Sequence, residues 1–263
     1  MKKIACLAFW IVFLVPAPLI ADDITSHKQC SMRRDWREIF ARPGITVYSQ
    51  KLPKSGLLAF RADALLEAPV GQVMEVLRRV DITDEWMPDT REKYILQVNS
   101  DLDVITYSLN HVPFPFADRE LVLRNHVHLD KDRKYLVLDI YSVEFDGQPV
   151  KKGAVRSHMQ CGEMNVRPIA ERRTEVELLL YVDPRGFIPP WLVNMFQKKL
   201  PYNFLRALEK KAGKTDFAVR PEFQQLVDEL EAILEQNPDP GAIVDSSEKT
   251  ISRVSSPSGS HLP

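Results

Sequence analysis

Residues Asp183–Leu200 read DPRGFIPPWLVNMFQKKL. A strand-like stretch ends here, the chain turns through Gly186, Pro189 and Pro190, and a helical pattern begins. Trp191, Leu192, Val193, Met195 and Phe196 fill its first turns before any charge appears. Such a helix is either an ordinary core element or a cover over something that is not protein. It continues as PYNFLRALEKKA, the longest helical segment of the chain, and Pro201 predicts a kink in it.

Working back from this helix, the chain offers strands joined by short links. Thr174–Val182, Ala154–Pro168, Lys134–Val143, Asp118–His128, Val104–Asn110 and Glu92–Asn99 each read as strands, punctuated by Gly, Asn, Asp and Pro. Before them, ITVYSQKL and LLAFRADALLEA alternate as two more strands. Pro69 opens a helix whose apolar stripe is Val70, Val73, Met74 and Leu77. Trp86 and Met87 sit in the turn-rich link after it, and Ser31–Phe40 reads as a short helix. Consecutive strands with short links predict an antiparallel meander, hence an α+β fold.

The two ends differ from the middle. MKK followed by IACLAFWIVFLV, PAPLIA and DD has the layout of a secretory signal peptide, 1–21, cleaved after Ala21. The apolar run falls short of the roughly 20 residues of a membrane span, and Pro16 and Pro18 interrupt its end. Export to the periplasm, or secretion, is the expectation. Cys6 leaves with the signal, and whether Cys30 and Cys161 join in a disulfide stays open. Residues 213–236 read as an amphipathic helix with Phe223, Leu226, Leu230, Ile233 and Leu234 on one side. Residues 237–263, rich in Pro, Ser, Gly and charge, read as a disordered tail.

Composition excludes some functions. A formal net charge of −1 over 263 residues leaves no basic excess for nucleic acid, so no nucleic-acid partner is expected. At 44% hydrophobic the chain can build a substantial core. Several strands are apolar on one face only: Ile105, Tyr107 and Leu109 on one, Leu121, Leu123, Asn125 and Val127 on another, Val176, Leu178, Leu180 and Val182 on a third. A curved sheet with one apolar face needs a cover. The two long helices either fill the concavity or leave a cavity of small-molecule size.

DWREIFARPGITVYSQKLPKSGLLAFRADALLEAPVGQVMEVLRRVD, VPFPFADRELVLRNHVHLD, GAVRSHMQCGEMNVRPI and VDPRGFIPPWLVNMFQKKLPYNFLRAL occur in this order. On these segments the chain resembles START domains, the lipid-transfer domains related to steroidogenic acute regulatory protein, and looks closest to the exported bacterial members. The resemblance covers 31–212 and implies a helix-grip fold: a curved antiparallel sheet wrapped around a long C-terminal helix, with an internal hydrophobic cavity. It implies one bound lipid, such as a sterol, phospholipid or fatty acid, carried by a monomer that meets a membrane surface transiently. The expected cavity residues are Met74, Leu77, Trp86, Tyr107, Leu109, Leu121, Leu123, Asn125, Leu178 and Leu180, with Tyr107 and Asn125 as polar anchors. Trp191, Leu192, Met195, Phe196 and Leu200 would form the underside of a lid, where methionine adapts to irregular tails. Many eukaryotic members carry an Arg inside the tunnel. The matching position here is Asn125, which suits a neutral hydroxyl, and alternation turns the adjacent Arg124 to the opposite face. Arg119 is expected in a salt bridge at the sheet edge, with Asp118 or Glu120.

No catalytic residue, cofactor or metal is expected. His126 and His128 share a strand face without a third ligand at a recognisable spacing. No Gly-x-Ser-x-Gly and no phosphate-binding glycine loop occurs. Glu175 and Glu177 read as a solvated face, and Cys161 and His158 fall on opposite faces. The alternatives are a helix-grip enzyme acting on an apolar small molecule, and a ligand-free interaction module with a filled core.

Overall fold

Among the described residues ten strands form one sheet, antiparallel except for one short strand, that curls around a helical C-terminal segment. The structure is a computed structural model and describes residues 35–52, 55–87 and 89–236. The expected signal peptide and C-terminal tail lie outside these residues. In chain order the elements are β1 (Arg37–Arg42), β2 (Ile45–Lys51), β3 (Leu58–Leu66), α1 (Val70–Arg78), a 3₁₀ turn (Val80–Glu85), β4 (Thr90–Ser100), β5 (Asp103–Asn110), β6 (Asp118–Asp130) and β7 (Tyr135–Ser142). There follow β8 (Ala154–Arg156), β9 (His158–Ala170), β10 (Arg173–Asp183), α2 (Pro190–Gln197), α3 (Leu200–Ala212) and α4 (Pro221–Gln236).

The sheet order is β1-β2-β3-β10-β9-β7-β6-β5-β4, with β8 pairing in parallel against the start of β6. The meander therefore closes on its own beginning, β10 lying against β3 with Leu178 opposite Ala62. One belt of register partners crosses the concave face: Val127 opposite Leu138, Leu138 opposite Met164, Met164 opposite Leu178. Side chains in register on adjacent strands point to the same face, so this belt sets the apolar floor of the sheet.

Two expectations change. The helix read over Ser31–Phe40 is, in its described part, strand β1, and Ser31 to Arg34 lie outside the described residues. Gly44, at φ +74°, turns the chain tightly enough for Arg42 to pair with Ile45. Pairing with the edge of β2 satisfies backbone groups that a short isolated helix would leave at its ends. The single strand expected over Ala154–Pro168 breaks at Ser157, whose N–H donates to the Glu120 carbonyl. The helix read within 213–236 is present as α4, and it buries Phe223, Val227 and Leu230 in the same core as α1 and α3. Its start is tied down by the Arg220 N–H, which donates to the fully buried Glu75 carboxylate at 2.6 Å.

The long helix is interrupted as expected, with Lys198 and Lys199 separating α2 from α3 just before Pro201. α3 delivers Leu205, Leu208 and Ala212 into the main core between the sheet, α1 and α4. A smaller cluster of Leu52, Leu57, Ala59, Tyr181 and Val193 sits under α2. Tyr107, Leu109 and Val122 form a third cluster, with Val143 and Phe145 of the β7–β8 connection packed against them.

Candidate functional site

Between the concave face of the sheet and the helices lies a cavity of about 460 Å³, its wall mostly apolar. α1 turns Met74 and Leu77 toward it because they share the stripe that faces the sheet. The 3₁₀ turn brings Trp86 to the wall, tilted against Phe204 of α3 at 5.7 Å between ring centres. β6 contributes Leu121, Leu123 and Asn125, and β10 contributes Leu178 and Leu180. These positions stand where the alternation of their strands predicts. Asn125 donates to Thr106 Oγ1 at 3.0 Å and to the Leu123 carbonyl at 3.2 Å, so its amide nitrogen is already engaged. Arg124 points the opposite way and forms a two-pronged pair with Asp103, which raises its basicity.

Tyr107 and Leu109 do not line the cavity. They face the convex side of the sheet, where the β7–β8 connection covers them. The Tyr107 hydroxyl donates to Glu120 Oε2 at 2.9 Å, and burial together with that carboxylate pushes its pKa up. Glu120 is fully buried and also accepts from Arg156 Nε at 2.7 Å. The expectation failed because it equated the apolar face of β5 with the cavity face. Here the apolar face is buried by the chain's own loop, and the polar face of Thr106, Ser108 and Asn110 lines the cavity.

The helix expected to form a lid is likewise turned. Trp191 is 68% exposed and Met195 52%, both pointing away from the cavity. Leu192 is part-buried and stands off the wall, and the Phe196 side chain lies outside the described residues. Leu200 does reach the wall, at the junction of α2 and α3, while 48% exposed. The residues that α2 and its approach turn inward are Ile188, Val193 and Gln197. Pro190 begins the helix and sets its phase. Asn194 fixes it, accepting from the Leu58 N–H and donating to the Gly56 carbonyl, each at 3.1 Å.

Other residues on the wall were not among the expected cavity set. Arg119 is buried and makes no pair with Asp118 or Glu120. It donates to the carbonyls of Ala117, Pro184 and Arg185, which ties the β5–β6 loop to the β10–α2 loop, and desolvation lowers its basicity. Lys93 of β4 reaches the cavity, and desolvation pulls its pKa down to about 8. Phe223 of α4 closes the wall where α1, α4 and the sheet meet. Alternation does put Arg119 on the face of β6 that carries Leu121 and Asn125, but not its loop partners; Lys93 escapes it because β4 is a bulged edge strand, and Phe223 shows in sequence as part of an apolar helix face without its place on the wall.

Elsewhere, His126 and His128 stack at 5.5 Å on the convex face, and β7 brings Asp139 beside them as a third group. Glu175 and Glu177 are not a bare acidic face, since Arg167 donates to Glu175 and Arg61 pairs with Glu177. Cys161 is disulfide-bonded, its partner lying outside the described residues.

The START domain family matches residues 21–214. Phosphatidylcholine transfer protein of Mus musculus is 28% identical over 180 residues, covering 67% of this chain and 83% of that protein. An uncharacterised protein of Pseudomonas aeruginosa is 27% identical over 184 residues, covering 70% and 90%. Among solved structures, a STAR-related lipid transfer protein fragment from Xanthomonas axonopodis superposes with a TM-score of 0.60 at 28% identity, covering 67% of this chain and 98% of that one. The chain belongs to the START family, and its fold is the helix-grip fold of that family.

Proposed function

We propose, with START membership as the premise, that this protein holds a single lipid in its internal cavity and carries or presents it without chemical change. The observation that carries the reading is the cavity itself, walled mainly by apolar side chains under a short helix. Removing apolar lipid surface from water there is worth about 25 cal/mol per Å². The volume lies in the lower half of the small-molecule range of about 300–1,000 Å³. That favours a single-chain or compact lipid over a two-chain one. Arg119 and Asn125 on the wall are engaged in holding loops and strands together, which supports carriage over catalysis.

The signal-peptide layout and the disulfide at Cys161 both support an exported, oxidising setting, the periplasm before secretion. Exposed Phe114 and Phe187 sit on the two loops that Arg119 joins, and Trp191 and Met195 follow on α2. An apolar group of this kind at one end of a soluble protein suits brief contact with a membrane surface. The protein acts as a monomer in this reading.

Native mass spectrometry of the mature protein from its own compartment, followed by organic extraction, tests the proposal. A stoichiometric, unmodified lipid is expected. An empty protein that also takes up no sterol, fatty acid or phospholipid would move the weight to a filled-core interaction module. A lipid consumed on incubation would make it an enzyme.

A further inference from the structure

Three cations line the cavity wall: Arg78, Lys93 and Arg119. Two are satisfied. Arg78 donates to the Asp101 carbonyl at 3.1 Å and pairs with its carboxylate at 3.4 Å. Arg119 is held by the three loop carbonyls already described. Lys93 has no ion pair among the described residues. Its register partner is Ser108, whose side chain lines the same cavity, and the neighbouring Tyr94 stacks on Tyr107 on the convex side, so Lys93 projects inward. Burial alone lowers the basicity of its amine, with no nearby carboxylate offsetting the loss of water. A desolvated ammonium without a counter-charge is costly, and a cavity that keeps one open to its lumen is shaped for an anion.

The placement of Lys93 along the cavity gives that anion a position. Asn110 pairs with Arg119 and Ser108 with Leu121, at the end of the sheet next to the β5–β6 loop and α2. Lys93, Ser108 and Asn110 thus form a polar band near the lid, with the Asn110 amide donating to Ser108 Oγ at 3.2 Å. Farther in, the wall passes to the belt of Val127, Leu138, Met164 and Leu178. The wall thus carries this polar band near α2 and the apolar belt beyond it, and at the far end, beside Leu102, it is closed by the Arg78–Asp101 pair, whose charges already satisfy each other.

We propose that Lys93, with Ser108 and Asn110, is the head-group site for an amphiphile with one anionic group, a carboxylate or a phosphate, whose acyl tail lies inward along the Val127–Leu178 belt. This rests on the lipid-carrier reading and sharpens it to a ligand class and an orientation. The anion receives a charge-assisted hydrogen bond from the ammonium and a second donor from the Ser108 hydroxyl. The tail enters first and the head leaves first.

The test uses the mature full-length protein and displacement of a neutral, polarity-sensitive dye by oleate, oleoyl lysophosphatidate and oleyl alcohol. Wild type is expected to bind one or both anions about tenfold or more tightly than the alcohol. Lys93→Met should lose that preference while its affinity for oleyl alcohol stays the same or rises, which also shows that the variant is folded and its cavity intact. A response to oleate alone assigns a carboxylate, and to lysophosphatidate alone a phosphate. If Lys93→Met binds both anions as wild type does, or if wild type binds the alcohol as tightly as the anions, the head-group site is overturned and the lipid cavity stands. A wild type from which none of the three displaces the dye would overturn the cavity reading itself.

Discussion

α2 and α3 follow one another with only Lys198 and Lys199 between them, yet they are held by different means. α3 is anchored by burial: Leu205, Leu208 and Ala212 are wholly inaccessible, packed against α1, α4 and the sheet. Among the described side chains of α2, Val193 is the one in the core, and the helix is also held by the Asn194 bridge and by Gln197, which donates to the Val182 carbonyl at 3.4 Å. Segments with few buried apolar contacts open at low free energy, and segments in the core open only with the whole domain. On this difference α2 is expected to open ahead of α3. Pro201 and the break before it let one move without the other, because no continuous hydrogen-bond ladder joins them.

The largest test of this contrast is Leu208→Ala. A buried leucine truncated in a core that cannot collapse costs about 2–5 kcal/mol, so the urea midpoint should fall steeply and α3 should be lost together with the sheet. A change of under about 1 kcal/mol would place α3 outside the core and abolish the distinction.

The same contrast explains what could be read before the structure. Burial follows alternation where one side of a strand meets the core and the other meets water. β6 and β10 obey this, and Leu121, Leu123, Asn125, Leu178 and Leu180 lie on the cavity wall where their alternation puts them. β5 does not, because the β7–β8 connection folds over its outer face and buries Tyr107 and Leu109 there. That contact joins residues far apart in the chain and leaves no local mark. α2 failed for a related reason. Its apolar residues lie on more than one face, so composition could not choose which face turns inward, and the structure turns Val193 in and Trp191 and Met195 out. Lys93 was invisible because a single lysine on a bulged edge strand reads as solvated. α4 shows in sequence as an amphipathic helix without its docking site, because its partners, Glu75 and the α1 stripe, precede it by more than a hundred residues.

A mid-sized effect is expected at the tie that holds α2 down. Asn194→Ala removes both hydrogen bonds to the β2–β3 connection, at about 0.5–1.5 kcal/mol each. Global stability should drop little, because α2 is a local unit, while hydrogen exchange in α2 speeds up and a bound lipid leaves faster. Equal acceleration of exchange in α2 and α3 would show the two helices opening as one body and would break the comparison.

The smallest effect on stability, and the sharpest on function, belongs to the outward face of α2. Trp191 and Met195 contact little of the protein, so Trp191→Ala with Met195→Ala should leave the denaturation midpoint within about 0.5 kcal/mol of wild type. If the two side chains enter the membrane interface during exchange, lipid transfer between vesicles should slow severalfold while the affinity for a lipid already in solution is unchanged. The pairing of these two readings decides the matter. A variant that binds and transfers as wild type does would make the exposed residues incidental. One that loses soluble binding as well would show that α2 turns its tryptophan inward in the loaded state, and the lid face assigned here would have to be exchanged for the opposite one.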